Sequence, residues 1–231
     1  MSAKLSSVKL MIIIAASSLV FPIFLLLPAG TLFWLEAWLV TIFFIAYLVP
    51  TVLWLNKNNP ELMRERMFSK GSFKGWKGWD KVLMITLSVP ALLLFPIAAF
   101  DAVRFQWSQV PLFLKALGFV GLMPFLILSF LVMRENTYAA KIVRIQKERS
   151  HKVITTGPYK YVRHPMYAGS IPFFLCLPLA LGSLYALIPG SLVAIFVIIR
   201  TYLEDKTLQK ELKGYKEYTK KVEYRLLPGV W

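Results

Sequence analysis

The chain has 231 residues, 57% of them hydrophobic, and a formal net charge of +15. Soluble domains are usually about half apolar or less, and here the apolar residues gather in blocks about 20 residues long, the length that crosses a bilayer core. Together these exclude an ordinary soluble globule, and the single cysteine, Cys176, excludes an internal disulfide. The basic residues flank the apolar blocks, so the charge is read as topological, facing anionic lipid head groups, and no nucleic-acid partner is expected.

Lys4 and Lys9 precede the first apolar block. That block is longer than the apolar region of a signal peptide and has no clean small-residue cleavage site, so 8–27 reads as a retained span. Pro28-Ala29-Gly30 makes a turn into a second span, 31–55. The following stretch, 56–80, mixes basic residues with Leu62, Met63, Met67, Phe68, Phe73, Trp76 and Trp79, which predicts a segment lying at head-group depth. Spans three and four cover 81–100 and 111–133. Spans five and six, 167–181 and 184–202, are joined by Gly182-Ser183 and hold Pro172, Pro178, Pro189 and Gly190. Proline breaks the helical hydrogen-bond ladder, so these two spans predict a tight hairpin packed inside protein. Beyond them, 206–224 carries Leu208, Leu212, Tyr215, Tyr218 and Val222 at helical spacing, as if span six continued into the cytosol.

The distribution of Lys and Arg supports an even number of crossings. With the N-terminus inside, the 56–80 loop, the segment after span four and the tail are all basic and all inside, and only Arg104 and Lys115 fall outside. The expected fold is therefore all-α: a polytopic integral membrane protein with about six transmembrane helices and both termini cytoplasmic. Residues 1–133 form an N-terminal four-helix membrane region, and 134–231 a C-terminal catalytic region built on the 167–202 hairpin. Short loops and compact size favour a plasma membrane over the endoplasmic reticulum. Nothing in the sequence fixes an oligomeric state.

The densest polar cluster runs from His151 to Gly169, directly before span five. Gly157-Pro158 signals a turn, and His164-Pro165 places a helix start near Pro165, where unpaired backbone amides are available to a polar ligand. On residue chemistry alone, the same set also describes an ordinary aromatic-basic interfacial belt. A second cluster lies at the cytoplasmic end of span six. Arg200 and Glu204 are four apart and share a helix face, with Asp205 alongside. A hairpin brings that end near 163–167. Arg200 and Glu204 also read as a solvated ion pair, worth well under about 1 kcal/mol.

Thr156-Gly157-Pro158-Tyr159, Arg163-His164-Pro165-Met166-Tyr167-Ala168-Gly169, Arg200 with Glu204-Asp205, and then Tyr215, Tyr218, Arg225 and Pro228 resemble the isoprenylcysteine carboxyl methyltransferase family, which is related to the membrane phospholipid methyltransferases. The likeness covers roughly the last third of the chain. It implies a cofactor, S-adenosylmethionine, held by the last hairpin and its flanking segments. By position, the resemblance assigns His151, Lys152, Val153, Ile154, Tyr159, His164, Pro165, Met166, Tyr167 and Glu204 to the cofactor and Arg200 to the methyl acceptor. The family often has two acidic residues where this chain has Glu204-Asp205, so Asp205 is the shorter match.

The implied partners are the lipid bilayer and a lipophilic or prenylated acceptor. Methyl transfer to a carboxylate needs no general base, because the carboxylate is ionised at pH 7. Three other readings stand beside it: phospholipid N-methylation, a sterol-type reductase using NADPH, and a non-catalytic transporter or scaffold. His151 and His164, without supporting Cys or carboxylates, make a poor ligand set, and no metal is expected.

Overall fold

A computed structural model describes residues 4–67 and 75–231. Nine α-helices are present among them: α1 (Ser7–Ser18), α2 (Val20–Ala29), α3 (Leu35–Asn58), α4 (Pro60–Met67), α5 (Gly78–Ala99), α6 (Leu112–Glu135), α7 (Pro165–Leu181), α8 (Leu187–Glu211) and α9 (Tyr215–Lys221). Helices α1 and α2 form one near-continuous apolar rod, Ser7–Ala29, broken only at Leu19. Pro22, four residues after Ser18, has no N–H to offer that carbonyl, which accounts for the break.

Five helical segments are long and apolar enough to cross a bilayer, and α7 is a sixth apolar helix of 17 residues. The fold is an all-α polytopic membrane protein, as the composition indicates. α7 differs from the others in having no exposed residue. It packs along α6 on one side and α8 on the other. Small residues permit the approach: a Cβ at Gly118 of α6 would collide with the backbone of Cys176 and Ala180, and one at Gly190 of α8 with the carbonyl of Phe174.

The hairpin turn is longer than Gly182-Ser183, because a buried carboxylate organises it. Asp101 lies in a π-helical turn, Phe100–Arg104, that extends α5. It accepts from Ser183 Oγ at 2.6 Å, Tyr185 N at 3.1 Å and Ser108 Oγ at 2.6 Å. Ser183 Oγ in turn accepts from Ala186 N at 3.0 Å, so α8 begins at Leu187, three residues later than its apolar run. At its other end α8 runs past 202 to Glu211, so Arg200, Glu204 and Asp205 sit within a continuous helix.

The 56–80 segment is partly a helix. Asn59 Oδ1 accepts from Leu62 N at 3.1 Å and Pro60 opens α4, a polar cap followed by proline at the first position. Leu62 and Met63 face protein and not lipid. They are fully buried against Val52, Leu55 and Met133. Phe68, Lys70, Phe73 and Lys74 lie outside the described residues. Leu5 N bonds Asn56 Oδ1 at 2.8 Å, Arg66 bonds the Ala139 carbonyl at 2.8 Å, and Lys77 pairs with Glu211 at 2.7 Å. The N-terminal residues, the 56–80 segment, the stretch after α6 and the end of α8 therefore share one end of the bundle, as an even number of crossings requires.

Close packing of α6 on α7 sets the position of everything C-terminal to it. Gly118→Ala is expected to lower stability by about 1–3 kcal/mol through overpacking against backbone. Gly78→Ala, where a Cβ meets nothing within 4 Å, should be near neutral. Denaturant midpoints in detergent check the pair.

Candidate active site

At the shared end, the segment before α7, the start of α7 and the segment after α8 close on α8 around a cleft of about 120 Å³. Its walls include His151, Lys152, Val153, Ile154, Tyr159, His164, Pro165, Met166, Tyr167 and Glu204, so all ten residues assigned by position to one pocket are brought together. Asn136, Tyr138, Ala139, Ala140, Tyr215 and Tyr218 complete much of the remainder. Arg200 is not among the walls.

Each wall has an identifiable support. The stretch after Ser150 is extended, and His151 anchors it by stacking on Tyr138, centroids 4.3 Å apart. Gln146, fully buried, fixes Tyr138 by donating Nε2–H to its carbonyl at 2.8 Å. Desolvation, followed by the positive charges of Arg149 and Arg144, depresses the His151 pKa to about 4, so its ring is neutral at physiological pH. From Lys152 to Thr155 the backbone makes no hydrogen bond among the described residues. Along Lys152–Ile154, which line the cleft, half-exposed amides and carbonyls are therefore available to a polar ligand.

Gly157 opens the next wall at φ 57°, the left-handed region that glycine tolerates. The short 3-10 turn that follows, Gly157–Lys160, presents Tyr159. Its hydroxyl accepts from Asn136 Nδ2 at 2.8 Å, and its carbonyl accepts from Tyr218 OH at 2.7 Å. Burial raises the pKa of Tyr159, Tyr215 and Tyr218, so these phenols are protonated donors and not bases at neutral pH.

Pro165 begins α7, and one residue beyond Met166 the Tyr167 hydroxyl donates to Glu204 at 2.6 Å. The start of α7 and the C-terminal part of α8 thus meet directly. Neighbouring carboxylates on α8 divide the work, because successive residues on a helix point about 100° apart. Glu204 faces the cleft. Asp205 faces away and is almost wholly buried, accepting from Arg163 Nε at 2.8 Å, Arg225 Nε at 3.0 Å, Tyr215 OH at 3.1 Å and Gln209 Nε2 at 2.8 Å, with His164 Nε2 at 3.3 Å. Arg163 also grips the Val222 and Glu223 carbonyls at 2.8 and 2.6 Å, tying the tail beneath the cleft.

Arg200 does not pair with Glu204. Its Nε donates to Asp80 Oδ1 at 2.8 Å, and its Nη2 reaches Asp80 Oδ2 at 3.3 Å and the Lys141 carbonyl at 2.9 Å. Its guanidinium carbon lies 5.5 Å from the Tyr167 ring centre. Asp80 is fully buried and also accepts from Trp76 Nε1 and Val143 N, both at 2.7 Å. Sequence reasoning missed Asp80, Asn136, Tyr138 and Arg66 as members of this region. Asp80 did carry a signal: it is the only acidic residue from 66 to 81, a stretch with five Lys or Arg. No group of three or more His, Cys, Asp or Glu converges as a metal-ligand set among the described residues.

Removing Asp205 strands Arg163 and Arg225 without a counter-charge. Asp205→Ala is expected to cost about 3–5 kcal/mol. Thermal unfolding in detergent measures it, and an unchanged midpoint would contradict the supporting role.

Comparison with known proteins falls on the same region. Residues 114–214 match the family model for phospholipid methyltransferases. The chain is 30% identical over 110 residues to a protein-S-isoprenylcysteine O-methyltransferase of Schizosaccharomyces pombe, covering 47% of this chain and 46% of that protein. It is 22% identical over 162 residues to a methanethiol S-methyltransferase of Crocosphaera subtropica, covering 63% of this chain and 62% of that protein. The chain thus spans less than two thirds of either relative. From 114 to 214 it carries the phospholipid methyltransferase pattern, and the likeness to isoprenylcysteine methyltransferases read from its motifs is met by a relative of that name.

Proposed function

We propose that this protein is an S-adenosylmethionine-dependent methyltransferase of the membrane, acting on the carboxylate of a prenylcysteine-like or other lipophilic acceptor. The observation that carries the reading is the convergence of His151–Ile154, Tyr159, His164–Tyr167 and Glu204 on one cleft at the end of the bundle where the basic segments gather. The cleft fits the cofactor chemically: unpaired backbone groups at Lys152–Thr155 for a polar heterocycle, a carboxylate at Glu204 for hydroxyl or ammonium groups, and tyrosine faces for a cation. When bound, S-adenosylmethionine supplies a methyl group already activated on a sulfonium.

The residues then have positioning work to do. The faces of Tyr159 and Tyr167 favour a positive charge by about 0.5–2 kcal/mol. Tyr167, hydrogen-bonded to Glu204 and beneath the Arg200 guanidinium, separates a cofactor side from an acceptor side. Asp80 and the Lys141 carbonyl occupy the Nε and Nη2 edge of Arg200, and no partner meets Nη1 among the described residues. Nη1 holds the acceptor carboxylate and orients it. A carboxylate acceptor suits a cleft whose phenols stay protonated, because no proton has to be removed. An in-line displacement between two held reactants depends on such alignment more than on acid–base help.

This reading places the N- and C-termini in the cytoplasm and the cleft at the inner leaflet, where a water-soluble cofactor and a bilayer-dissolved acceptor both arrive. Phospholipid N-methylation and S-methylation, suggested by the family model and the Crocosphaera relative, are separated from it by product chemistry: labelled methyl released by mild alkali indicates an ester, while retained label indicates an amine or thioether.

Calorimetric titration of the detergent-solubilised protein with S-adenosylmethionine tests the cofactor assignment. Glu204→Gln and His164→Ala are each expected to weaken binding by about tenfold or more, and equal affinity in all three proteins would remove the site. Arg200→Lys is the cleaner acceptor-side probe, because Arg200→Ala would strand buried Asp80. We expect Arg200→Lys to bind the cofactor normally and to lose turnover by about two orders of magnitude, and normal turnover would contradict its role.

A further inference from the structure

A second group of cations lies beside Arg200 and has no use in the scheme above. Arg66, near the end of α4, donates Nη1–H to the Ala139 carbonyl at 2.8 Å. Arg200 donates to the Lys141 carbonyl, two residues on, at 2.9 Å. Ala139 and Ala140 are cleft walls, so two guanidiniums are fastened to one short stretch beside the cleft, and the charge of Arg66 reaches the Lys141 ammonium. The neighbouring carboxylates are committed. Asp80 is held by Arg200, Trp76 and Val143, and Glu204 by Tyr167. Neither Arg66 nor Lys141 has a carboxylate partner among the described residues, whereas Arg144 and Arg149 close by are both paired to glutamates.

That deficit is physically costly. Desolvation pulls the Arg66 guanidinium down from its usual range, and the groups opposing this are the phenols of Tyr47 and Tyr167, not a full negative charge. Desolvation and then the charge of Arg66 lower the Lys141 ammonium in the same way. A guanidinium drawn partly out of water, as that of Arg66 is, is paired or used, and exposed Lys141 beside it adds to the positive field. Tyr47 also lines an apolar groove between α3 and α6 with Pro50, Thr51, Phe130 and Leu131. The cationic corner thus lies where the head of an amphiphile arrives when its chain stays in the bilayer.

We propose that Arg66 and Lys141, together with Nη1 of Arg200, form a receptor for the anionic group of the acceptor and make this protein selective for amphiphiles bearing a negative head. The proposal rests on the methyltransferase reading and deepens it: Arg66 and Lys141 are specificity-determining residues and touch neither the cofactor nor the transferred methyl.

The test is binding, not turnover. An S-prenylcysteine and its uncharged carboxamide are titrated into wild type, Arg66→Gln and Lys141→Gln in zwitterionic detergent, with S-adenosylmethionine titrated separately. Wild type is expected to prefer the carboxylate by about tenfold or more, as charge-assisted hydrogen bonds imply. Each variant is expected to lose several-fold of that preference with unchanged cofactor affinity. Lys141, exposed on the rim, can be changed without risk to the core, so a folding failure of Arg66→Gln leaves the test standing. A preference equal in all three proteins overturns the inference, as does its abolition in wild type by added phosphatidylglycerol, which would assign the corner to bulk anionic lipid. Failure of wild type to bind S-adenosylmethionine would instead defeat the methyltransferase reading itself.

Discussion

One buried carboxylate holds the cleft end of this protein together. Asp205 gathers Arg163 from before α7, Gln209 from its own helix, Tyr215 from α9 and Arg225 from the tail, with His164 in reach. Burying a charge is unfavourable unless it is paired and hydrogen-bonded, and here every partner comes from a different part of the C-terminal third. That multiplicity turns a costly group into an organiser. The backbone follows the side chains: Arg163 N and His164 N bond the carbonyls of Tyr224 and Arg225 at 3.0 and 2.9 Å, so the tail is laid against the entrance of α7. With the tail fixed, Tyr215 and Tyr218 become walls, and Glu204, the residue before Asp205 on α8, is aimed inward.

The other end has a matching device. Asp101 ties α5 and its loop to the α7–α8 turn through serine hydroxyls and a backbone amide, without a cation. Between these two polar clamps the hairpin is held by the Tyr167–Glu204 hydrogen bond and by close packing. Glycines on α6 and α8 let backbone approach backbone, which suits an environment where lipid is as apolar as leucine and hydrophobicity gives helices little reason to associate.

Much of this was legible in the sequence, for local reasons. The spans announce themselves through length and apolar content, and the cleft residues from His151 to Tyr167 are contiguous and punctuated by Gly157-Pro158 and His164-Pro165, so their placement needs only a turn and a helix start. Glu204 was assigned to the same pocket by the family resemblance. What could not be read is whatever depends on tertiary pairing. Asp80 meets Arg200 across 120 residues of sequence, and nothing near either residue announces the other. Spacing suggested Glu204 for Arg200 because four residues make one helical turn, yet Tyr167 takes Glu204 and leaves Arg200 to α5. The inward burial of Leu62 and Met63 was hidden in the same way, since an amphipathic stretch beside a membrane looks alike whether its apolar side meets lipid or protein.

The shortness of α7 sets a depth. From their common tie at Asp101 and Ser183, α5 climbs to Gly78, while α7 stops at Pro165 after five fewer residues, a shortfall of about 8 Å at 1.5 Å per residue. The start of α7, which floors the cleft, is therefore set back by about that much from the start of α5, and whatever enters the cleft must pass the longer helix before it meets Pro165.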